Sequence, residues 1–346
     1  MHTLENSYRR KRVLVTGGLG FIGSNLALTL LKLGADVTVV DALVPGCGGN
    51  LSNLGEHVSD IRTVIADIAD PAQVPDCLAG VDVVFNLAAE IAHSASPHDS
   101  GRDLSLNVHS QLRFLDHCVQ RAQGVRVVFT STRQVYGPPQ YLPVDEQHPL
   151  APVDFNGVHK QAAAHYHLLL SRMQMIDGVV LNLTNTYGPR IALNVPGQGF
   201  LANYCARALG GERLTIFGDG AQMRDPLYVD DAVEAILLAG VTPLSDHRVF
   251  NIGHPEAWTL REIAGFLSEL AGLPEALCCP FPDERRMIDI GSYATDTRLA
   301  FSVLGWRAST RLPDGLRQTL RYFGWSNDSA TLSTGTHAAG TSDHTP

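Results

Sequence analysis

The sequence predicts an α/β protein, with a doubly wound parallel sheet of the Rossmann type and a smaller C-terminal α/β lobe. Three observations support this fold class. At residues 13–33 a buried strand is followed by a glycine-rich turn and a helix. Strands and helices then alternate as far as residue 183, as they do in parallel sheets with right-handed crossovers. Several strands end in polar or small residues, at the sheet edge where such folds bind ligands.

The first strand–turn–helix unit carries a glycine fingerprint. The apolar run 13–16 predicts a short buried strand, and residues 21–33 predict a helix. Between them, Gly17 permits the tight turn and Gly20 lets a pyrophosphate approach the backbone, while Gly23 lets the helix pack closely on the strand. The helix N-terminus offers free N–H groups and a favourable dipole to phosphates. This unit predicts a dinucleotide site.

The second strand identifies the dinucleotide. Residues 37–40 form an apolar strand that ends at Asp41, about twenty residues after the fingerprint, where a carboxylate binds the ribose hydroxyls. A carboxylate at this point repels a 2′-phosphate. The sequence therefore predicts NAD rather than NADP.

The remaining elements follow from apolar periodicity and from cap residues such as Thr259 and Asp314. Further strands are predicted at residues 62–66, 81–87, 125–130, 179–183, 214–217 and 249–252. Further helices are predicted at residues 71–78, 103–122, 157–173, 200–209, 230–238, 259–270 and 314–322. Residues 42–53 are rich in glycine and proline and are predicted to be a loop.

These elements group into two domains and a tail. Residues 11–185 are expected to form the NAD-binding domain, with later segments interleaved, and residues 186–325 the substrate-binding lobe. Residues 326–346 are mostly small and polar and are expected to be disordered.

Composition narrows the possible partners. The 346 residues carry a net charge of −9 without a basic block, which argues against nucleic acid or an anionic membrane as a partner. No signal peptide or membrane-spanning run is visible, so a cytoplasmic protein is expected. The six cysteines show no metal-ligand spacing and are expected to be buried free thiols. We expect structural roles for His165 and His167, and no metal site.

Several segments together resemble the extended short-chain dehydrogenase/reductase family of NAD-dependent nucleotide-sugar epimerases and dehydratases. The matching segments are TGGLGFIG at 16–23, DI at 67–68, NLAA at 86–89, TSTRQVYG at 130–137, NTYGPR at 185–190, GDGAQMRD at 218–225, YVDD at 228–231 and LGW at 304–306. The resemblance implies a nucleotide-diphosphate sugar held in the C-terminal lobe, with its sugar ring against the nicotinamide. It also implies a homodimer formed through the two long helices at 103–122 and 157–173.

The resemblance assigns roles to individual residues. Thr132 matches the catalytic Ser/Thr that hydrogen-bonds the sugar hydroxyl, and Lys160 matches the active-site lysine. Asn185, Arg224 and Arg286 match the positions that grip the nucleotide diphosphate. The residues expected to contact NAD are Gly17, Gly20, Phe21, Ile22, Gly23, Asp41, Asp67, Ile68, Leu87, Ala88, Ala89 and Lys160.

The chain departs from the family pattern at the catalytic tyrosine. Four residues before Lys160 it has Asn156, whose amide can orient a hydroxyl but cannot act as a general base near neutral pH. Glu90 and His93 follow the strand that ends at the nicotinamide, so one of them, together with Lys160, is a candidate replacement base. His159 should be turned away from the site by helical geometry, and Tyr136 is better explained by packing.

A second departure narrows the reaction. Family members that dehydrate or decarboxylate carry an acid just after the catalytic Ser/Thr, whereas this chain has Arg133 and Gln134. Epimerisation of the UDP-glucose 4-epimerase type, by transient oxidation of the sugar, therefore remains by elimination. Two alternatives stay open: another NAD-dependent nucleotide-sugar dehydratase or oxidoreductase, and a protein that binds NAD and a nucleotide sugar without chemistry.

Overall fold

The computed structural model describes residues 2–90, 100–195 and 199–326. Its strands are β1 Arg12–Thr16, β2 Asp36–Asp41, β3 Arg62–Ile65, β4 Val83–Asn86, β5 Arg126–Thr132, β6 Asp177–Leu183, β7 Thr186–Tyr187, β8 Thr215–Phe217, β9 Met223–Arg224, β10 Leu227–Tyr228, β11 Val249–Ile252, β12 Trp258–Thr259 and β13 Leu277–Cys279. Its α-helices are α1 His2–Tyr8, α2 Phe21–Lys32, α3 Val74–Cys77, α4 Ser100–Leu104, α5 Ser110–Arg121, α6 Phe155–Arg172, α7 Phe200–Leu209, α8 Val229–Val241, α9 Leu260–Ala271, α10 Asp283–Arg286, α11 Arg298–Leu304 and α12 Leu312–Tyr322.

The centre of the molecule is a seven-stranded sheet in the order β11-β6-β5-β4-β1-β2-β3. Every pairing in it is parallel, with Val13 of β1 opposite Val37 of β2 on one side and Val83 of β4 on the other. The strand order reverses between β1 and β4, the switch point at which such sheets bind ligands. The predicted doubly wound parallel fold is confirmed.

Alternate residues of the strands fill cores on opposite faces of the sheet. Val13 and Val15 pack with α2 and α8 in one cluster, whereas Leu14 packs with α3 and α5 in another. Because both faces are covered, the central strands are continuous apolar runs rather than alternating ones. A third cluster joins α7, α9 and α12 in the C-terminal part of the chain.

Most predicted elements are present, with four corrections. Asp314 does not cap α12: that helix starts at Leu312 with Arg311 as its N-cap, and Asp314 instead pairs with Arg317 within the first turns. The helix predicted at 71–78 is a single turn, and the predicted loop at 42–53 gives way to a 3₁₀ stretch at Leu51–Ser59. The helix predicted at 103–122 begins earlier and contains a π-helical turn, Ser105–His109.

The cap predicted at Thr259 is confirmed, and it forms a reciprocal capping box with Glu262. All six cysteines are free thiols, but only Cys77, Cys118 and Cys205 are buried. The expectation of buried thiols is therefore wrong for the other three, because Cys47 lies in a loop beside the cavity described below and Cys278 and Cys279 lie on the short strand β13.

Residues 327–346, where most of the predicted disordered tail falls, lie outside the described residues. Within the described ranges, no helix is long and apolar enough to cross a membrane. Among the same residues, no group of three or more His, Cys, Asp or Glu side chains could hold a metal ion.

Candidate active site

A cavity of about 280 Å³ lies along the carboxyl ends of the sheet strands β1 to β6. Every residue predicted to contact NAD lines it, and so do Thr132, Asn156 and Asn185. The strand ends bring these positions together because parallel strands all finish at the same edge of the sheet.

The glycine turn forms the floor of the cavity at the switch point. Gly17 has φ +65°, and a Cβ there would lie 2.8 Å from the Ala88 Cα. A Cβ on Gly23 would overlap the Gly17 carbonyl. The N-cap of α2 is Gly20, which has no side chain to cover the first N–H groups of the helix. These groups therefore remain available to an anionic ligand.

Asp41 is fixed between the glycine turn and the loop after β2. Its Oδ2 accepts a hydrogen bond from the Leu19 N–H at 3.0 Å, and its Oδ1 accepts one from the Leu43 N–H at 2.9 Å. Each carboxylate oxygen has a further lone pair for a ligand hydroxyl. Asp41 and the Asp67–Ile68 pair occupy the β2–β3 side of the cavity.

The β5 and α6 side of the cavity carries a buried lysine. The Lys160 ammonium donates to the Thr130 carbonyl at 2.9 Å and lies 4.8 Å from the centre of the Phe129 ring. Burial lowers the pKa of Lys160 to about 8. Thr132 ends β5, and its Oγ1 accepts the Gln134 N–H at 3.3 Å.

Asn156 precedes Lys160 by one helical turn in α6. It is 2% exposed, and its Nδ2 donates to the Glu90 carbonyl at 2.9 Å. The helix begins immediately before it, where Asp154 caps the Gly157 N–H at 2.6 Å and accepts from Gln134 Nε2 at 3.1 Å. The Asn156 side chain therefore lies in the cavity as a fixed hydrogen-bonding group without acid–base capacity near neutral pH.

Four buried polar atoms on this side have no hydrogen-bond partner among the described residues. They are Ser131 Oγ, Arg133 Nη1, Gln134 Oε1 and Asn185 Oδ1. All four residues line the cavity. Because buried polar atoms in native proteins are nearly always paired, this group indicates the place of a polar ligand.

Comparison with known proteins agrees with this geometry. Residues 13–253 match the model of the NAD dependent epimerase/dehydratase family. UDP-glucose 4-epimerase of Mycolicibacterium smegmatis is 33% identical over 317 residues, 90% of this chain and 98% of that protein. The chain belongs to the NAD dependent epimerase/dehydratase family.

Solved structures of similar proteins share the fold. UDP-glucose 4-epimerase of Thermotoga maritima with UDP-glucose is 31% identical, with a TM-score of 0.81 over 90% of this chain and 98% of that one. UDP-glucuronic acid 4-epimerase of Bacillus cereus, with UDP-glucuronic acid and NAD, is 26% identical, with a TM-score of 0.79 over 90% and 98%.

As an enzyme of this family the protein uses NAD, and its residues fit that cofactor. The close-packed glycine turn at Gly17, the open N-terminus of α2 at Gly20 and the carboxylate of Asp41 suit a pyrophosphate and a ribose diol. When bound, NAD supplies a hydride acceptor for the oxidation of a carbinol.

A network of polar side chains outside the cavity lining connects the end of β4 with α6. Asn107, in the π-helical turn, bonds the backbone N–H and carbonyl of Glu90 at 3.0 and 2.9 Å. Its Nδ2 also contacts Asp103 Oδ1 at 2.5 Å, and the same oxygen lies 3.0 Å from His159 Nδ1. His159 thus pairs with Asp103 and is not among the residues that line the cavity.

The candidate replacement bases have different placements. The Glu90 carboxylate contacts Arg102, with 3.4 Å between Oε2 and Nε, and Glu90 is not among the cavity-lining residues. His93 lies outside the described residues. The Tyr136 hydroxyl donates to Asn251 Oδ1 at 2.7 Å and accepts from Asn182 Nδ2 at 3.0 Å, which holds it in the core.

The two arginines expected to bind a diphosphate differ in burial and in their contacts. Arg224 is buried, donates to the carbonyls of Met223 and Gly291 at 2.8 and 2.5 Å, and lies 3.3 Å from Asp289. Burial lowers its pKa to about 10. Arg286 is exposed on α10. Neither is among the cavity-lining residues, whereas Asn185 is.

Sequence reasoning missed part of the cavity wall. The loop after β2 contributes Ala42, Val44, Cys47, Gly48 and Gly49. The Gly-Gly pair following the Asp41 strand was the available signal. Thr186, Ile191 and Ala192 also line the cavity and were missed; the NTYGPR segment was the available signal for Thr186, and no local pattern marks the other two.

Proposed function

We propose that the protein is an NAD-dependent nucleotide-sugar epimerase of the UDP-glucose 4-epimerase type, which acts by transient oxidation of the sugar. The observation that carries the proposal is the group of unpartnered polar atoms on Ser131, Arg133, Gln134 and Asn185, beside Thr132 and Lys160. A polyhydroxylated ring next to the nicotinamide would satisfy these atoms. The relatives bound to UDP-glucose and UDP-glucuronic acid support a uridine nucleotide.

Within this proposal each residue has a specific task. Thr132 hydrogen-bonds the sugar hydroxyl, and Lys160 holds the nicotinamide ribose and, by its charge, favours removal of the hydroxyl proton. Asn156 orients the sugar through its amide. The residues from Gly17 to Gly23, with Asp41, Asp67, Ile68 and residues 87–89, hold the remainder of NAD.

Residues of the C-terminal half would hold the nucleotide diphosphate. Asn185 reaches the cavity directly. Arg224 and Arg286 would bind the part of the ligand that extends beyond the cavity into the C-terminal lobe. Arginine suits this role because its planar guanidinium group can donate two hydrogen bonds to phosphate oxygens. We correspondingly propose a division into an NAD domain at 11–185, with later segments interleaved, and a substrate lobe at 186–325.

With Asn156 at the position of the family's catalytic tyrosine, another residue must accept the proton of the sugar hydroxyl. We propose that Glu90 or His93 acts with Lys160, because both follow β4 in the sequence and β4 ends at the cavity. The Glu90 carboxylate is held by Arg102, whereas its backbone is held by Asn107 and Asn156. Glu90→Gln therefore removes the carboxylate without removing the backbone contacts. Full turnover in both Glu90→Gln and His93→Asn would refute a replacement base.

A second candidate function is favoured by Asn156. An amide fixed on the Glu90 carbonyl supplies no base, which suits a protein that binds NAD and a nucleotide sugar without chemistry. Asn156→Tyr separates the two candidates. A wild-type protein without turnover and an active Asn156→Tyr variant would establish the binding function.

The central test is to identify retained ligands by mass spectrometry after gentle purification and then to incubate the protein with UDP-glucose. An epimerase should retain NAD and form the epimer with no net change in the NAD/NADH ratio. Net reduction of free NAD would point to a dehydrogenase, and the absence of both outcomes to a binding protein.

We also propose that two copies pair through α5 and α6. Apolar side chains remain exposed on these helices and at their ends: Leu112 on α5, Val158 and Leu169 on α6, Leu104 at the end of α4 and Met173 at the C-cap of α6. Val158 and Leu169 are eleven residues apart, about three turns of an α-helix, so they share a face of α6. A second copy would cover these faces.

A further inference from the structure

We propose that Arg133 is a carboxylate subsite, and that the sugar this enzyme prefers is therefore a nucleotide-linked uronic acid. The inference deepens the proposed function and rests on it. Arg133 is 8% exposed and lines the cavity, and its buried Nη1 has no hydrogen-bond partner among the described residues.

The aromatic contact of Arg133 does not replace an anion. Its guanidinium carbon lies 5.1 Å from the centre of the Tyr293 ring, and Tyr293 is fully buried. Stacking on a ring leaves the N–H groups at the guanidinium edge unused, and those groups form strong bonds with planar anions. A buried guanidinium without a counter-ion is also costly, because desolvation is not repaid.

The nearby carboxylates are engaged elsewhere. Asp289 lies 3.3 Å from Arg224 and accepts from Gln222, while Asp154 caps α6 and accepts from Gln134. Among the described residues, neither they nor Asp225 lie within ion-pair distance of Arg133, although all three carboxylates act on it electrostatically.

Asp225 compensates only part of the charge. Its Oδ2 accepts the Thr295 N–H at 3.0 Å, its buried Oδ1 has no hydrogen-bond partner within the described part of the chain, and burial raises its pKa to about 7. Near neutral pH Asp225 is therefore partly protonated and offsets the charge of Arg133 only in part.

The position of Arg133 indicates that it contacts the sugar of a nucleotide sugar rather than the nucleotide. It directly follows Thr132, the proposed partner of the reacting hydroxyl, and its neighbour Gln134 presents a free Oε1 that can accept from a sugar hydroxyl. A carboxylate on the ring would match the guanidinium as a planar, bidentate partner. A neutral hexose would supply no anion to the buried Nη1 of Arg133.

The test measures binding by calorimetry to the NAD-loaded protein, with UDP-glucuronic acid, UDP-glucose and UDP as ligands. Wild type should bind UDP-glucuronic acid roughly tenfold or more tightly than UDP-glucose, since a charge-assisted hydrogen bond contributes that much. Arg133→Gln should lose this preference, with a roughly 10- to 100-fold weaker affinity for UDP-glucuronic acid and an affinity for UDP-glucose within about threefold of wild type.

Two variants serve as controls. Arg133→Lys keeps the charge but not the fork, and should retain part of the preference. Arg317→Gln removes an exposed arginine on α12 and should behave as wild type. Retained NAD binding and an unchanged melting temperature show that Arg133→Gln is folded. If Arg133→Gln does not fold, the inference is tested by the ligand preference of the wild type and of Arg133→Lys.

The results that would overturn the inference are distinct. Equal or tighter binding of UDP-glucose by wild type excludes a carboxylate subsite. Equal weakening of both sugars and of UDP by Arg133→Gln would assign the arginine to the diphosphate instead. Epimerisation of each sugar is assayed separately. Tighter binding of UDP-glucuronic acid without epimerisation of either sugar would support the carboxylate subsite and refute the proposed epimerase. Tighter binding and epimerisation of UDP-glucose would support the epimerase and refute the carboxylate subsite.

Discussion

Lys160 is a buried cation whose protonation opposes folding. Its pKa of about 8 lies below the ordinary 10.5 because burial disfavours the charged form. Between these two pH values the unfolded chain carries a proton that the folded chain has released. The free energy of unfolding therefore rises with pH across that window, and the penalty is fully present below pH 8.

We predict that Lys160→Met removes this pH dependence. The free energy of unfolding of the wild type, minus that of Lys160→Met, should increase by roughly 3 kcal/mol between pH 7.5 and 10.5. Urea unfolding of both apo proteins measures the difference. Lys32→Met, at the exposed end of α2, corrects for changes common to the chain, and a flat difference would contradict the prediction.

At Asp41 we predict selection of NAD over NADP. The carboxylate is held by the Leu19 and Leu43 N–H groups at the point where a 2′-phosphate would meet it. Wild type should bind NAD more tightly, and Asp41→Asn should narrow the gap by removing the charge. Titration of both cofactors measures this, and equal affinities in wild type would refute it.

For Arg224 we predict a role in gripping the diphosphate. Arg224→Ala should weaken nucleotide-sugar affinity by roughly 1.5–3 kcal/mol, the contribution of a charge-assisted contact. NAD affinity should be unchanged. Because Arg224 also bonds the Gly291 carbonyl, a melting curve of the variant must accompany the titration. Unchanged nucleotide-sugar affinity would assign the residue to structure alone.

At the scale of elements, the strand–turn–helix unit depends on the absence of side chains at its glycines. We predict that Gly23→Ala abolishes NAD binding and destabilises the fold, since its Cβ would overlap the Gly17 carbonyl. Gly265→Ala is the matched control: nothing lies within 4 Å of a Cβ there, in the exposed face of α9.

Gly265→Ala should stabilise the protein by roughly 0.5–1 kcal/mol, because alanine is the better helix former. Thermal melts and NAD titrations of both variants check the pair. Normal NAD affinity in Gly23→Ala would show that α2 can move away from the turn.

At the scale of the whole molecule, the exposed faces of α5 and α6 decide the oligomeric state. We predict a homodimer at micromolar concentration. Leu169→Glu, at a side chain 43% exposed on α6, should yield monomers, because a charge would be buried at the interface. Phe301→Glu, 60% exposed on α11, should leave the dimer intact. Light scattering of the three proteins distinguishes these outcomes, and a monomeric wild type would refute the proposal.

The fold class, the first βα unit and the cofactor could all be predicted from the amino-acid sequence. These depend on local chemistry: a glycine turn needs Gly17 and Gly23 whatever surrounds it, and strands buried on both faces must be apolar throughout. Where local signals compete, the prediction fails, as when Pro313 and Arg311 rather than Asp314 mark the start of α12.

Contacts between distant parts of the chain determine which side chains line the other half of the cavity. Arg224 turns toward Gly291 and Asp289, more than sixty residues later in the chain, and Glu90 faces Arg102 rather than the cavity. Among the described residues, the buried Nη1 of Arg133 has no hydrogen-bond partner, and the nearby Asp154 and Asp289 are engaged by other groups. Such pairings depend on which distant groups packing brings within about 3–4 Å, and no periodicity or spacing in the sequence records that.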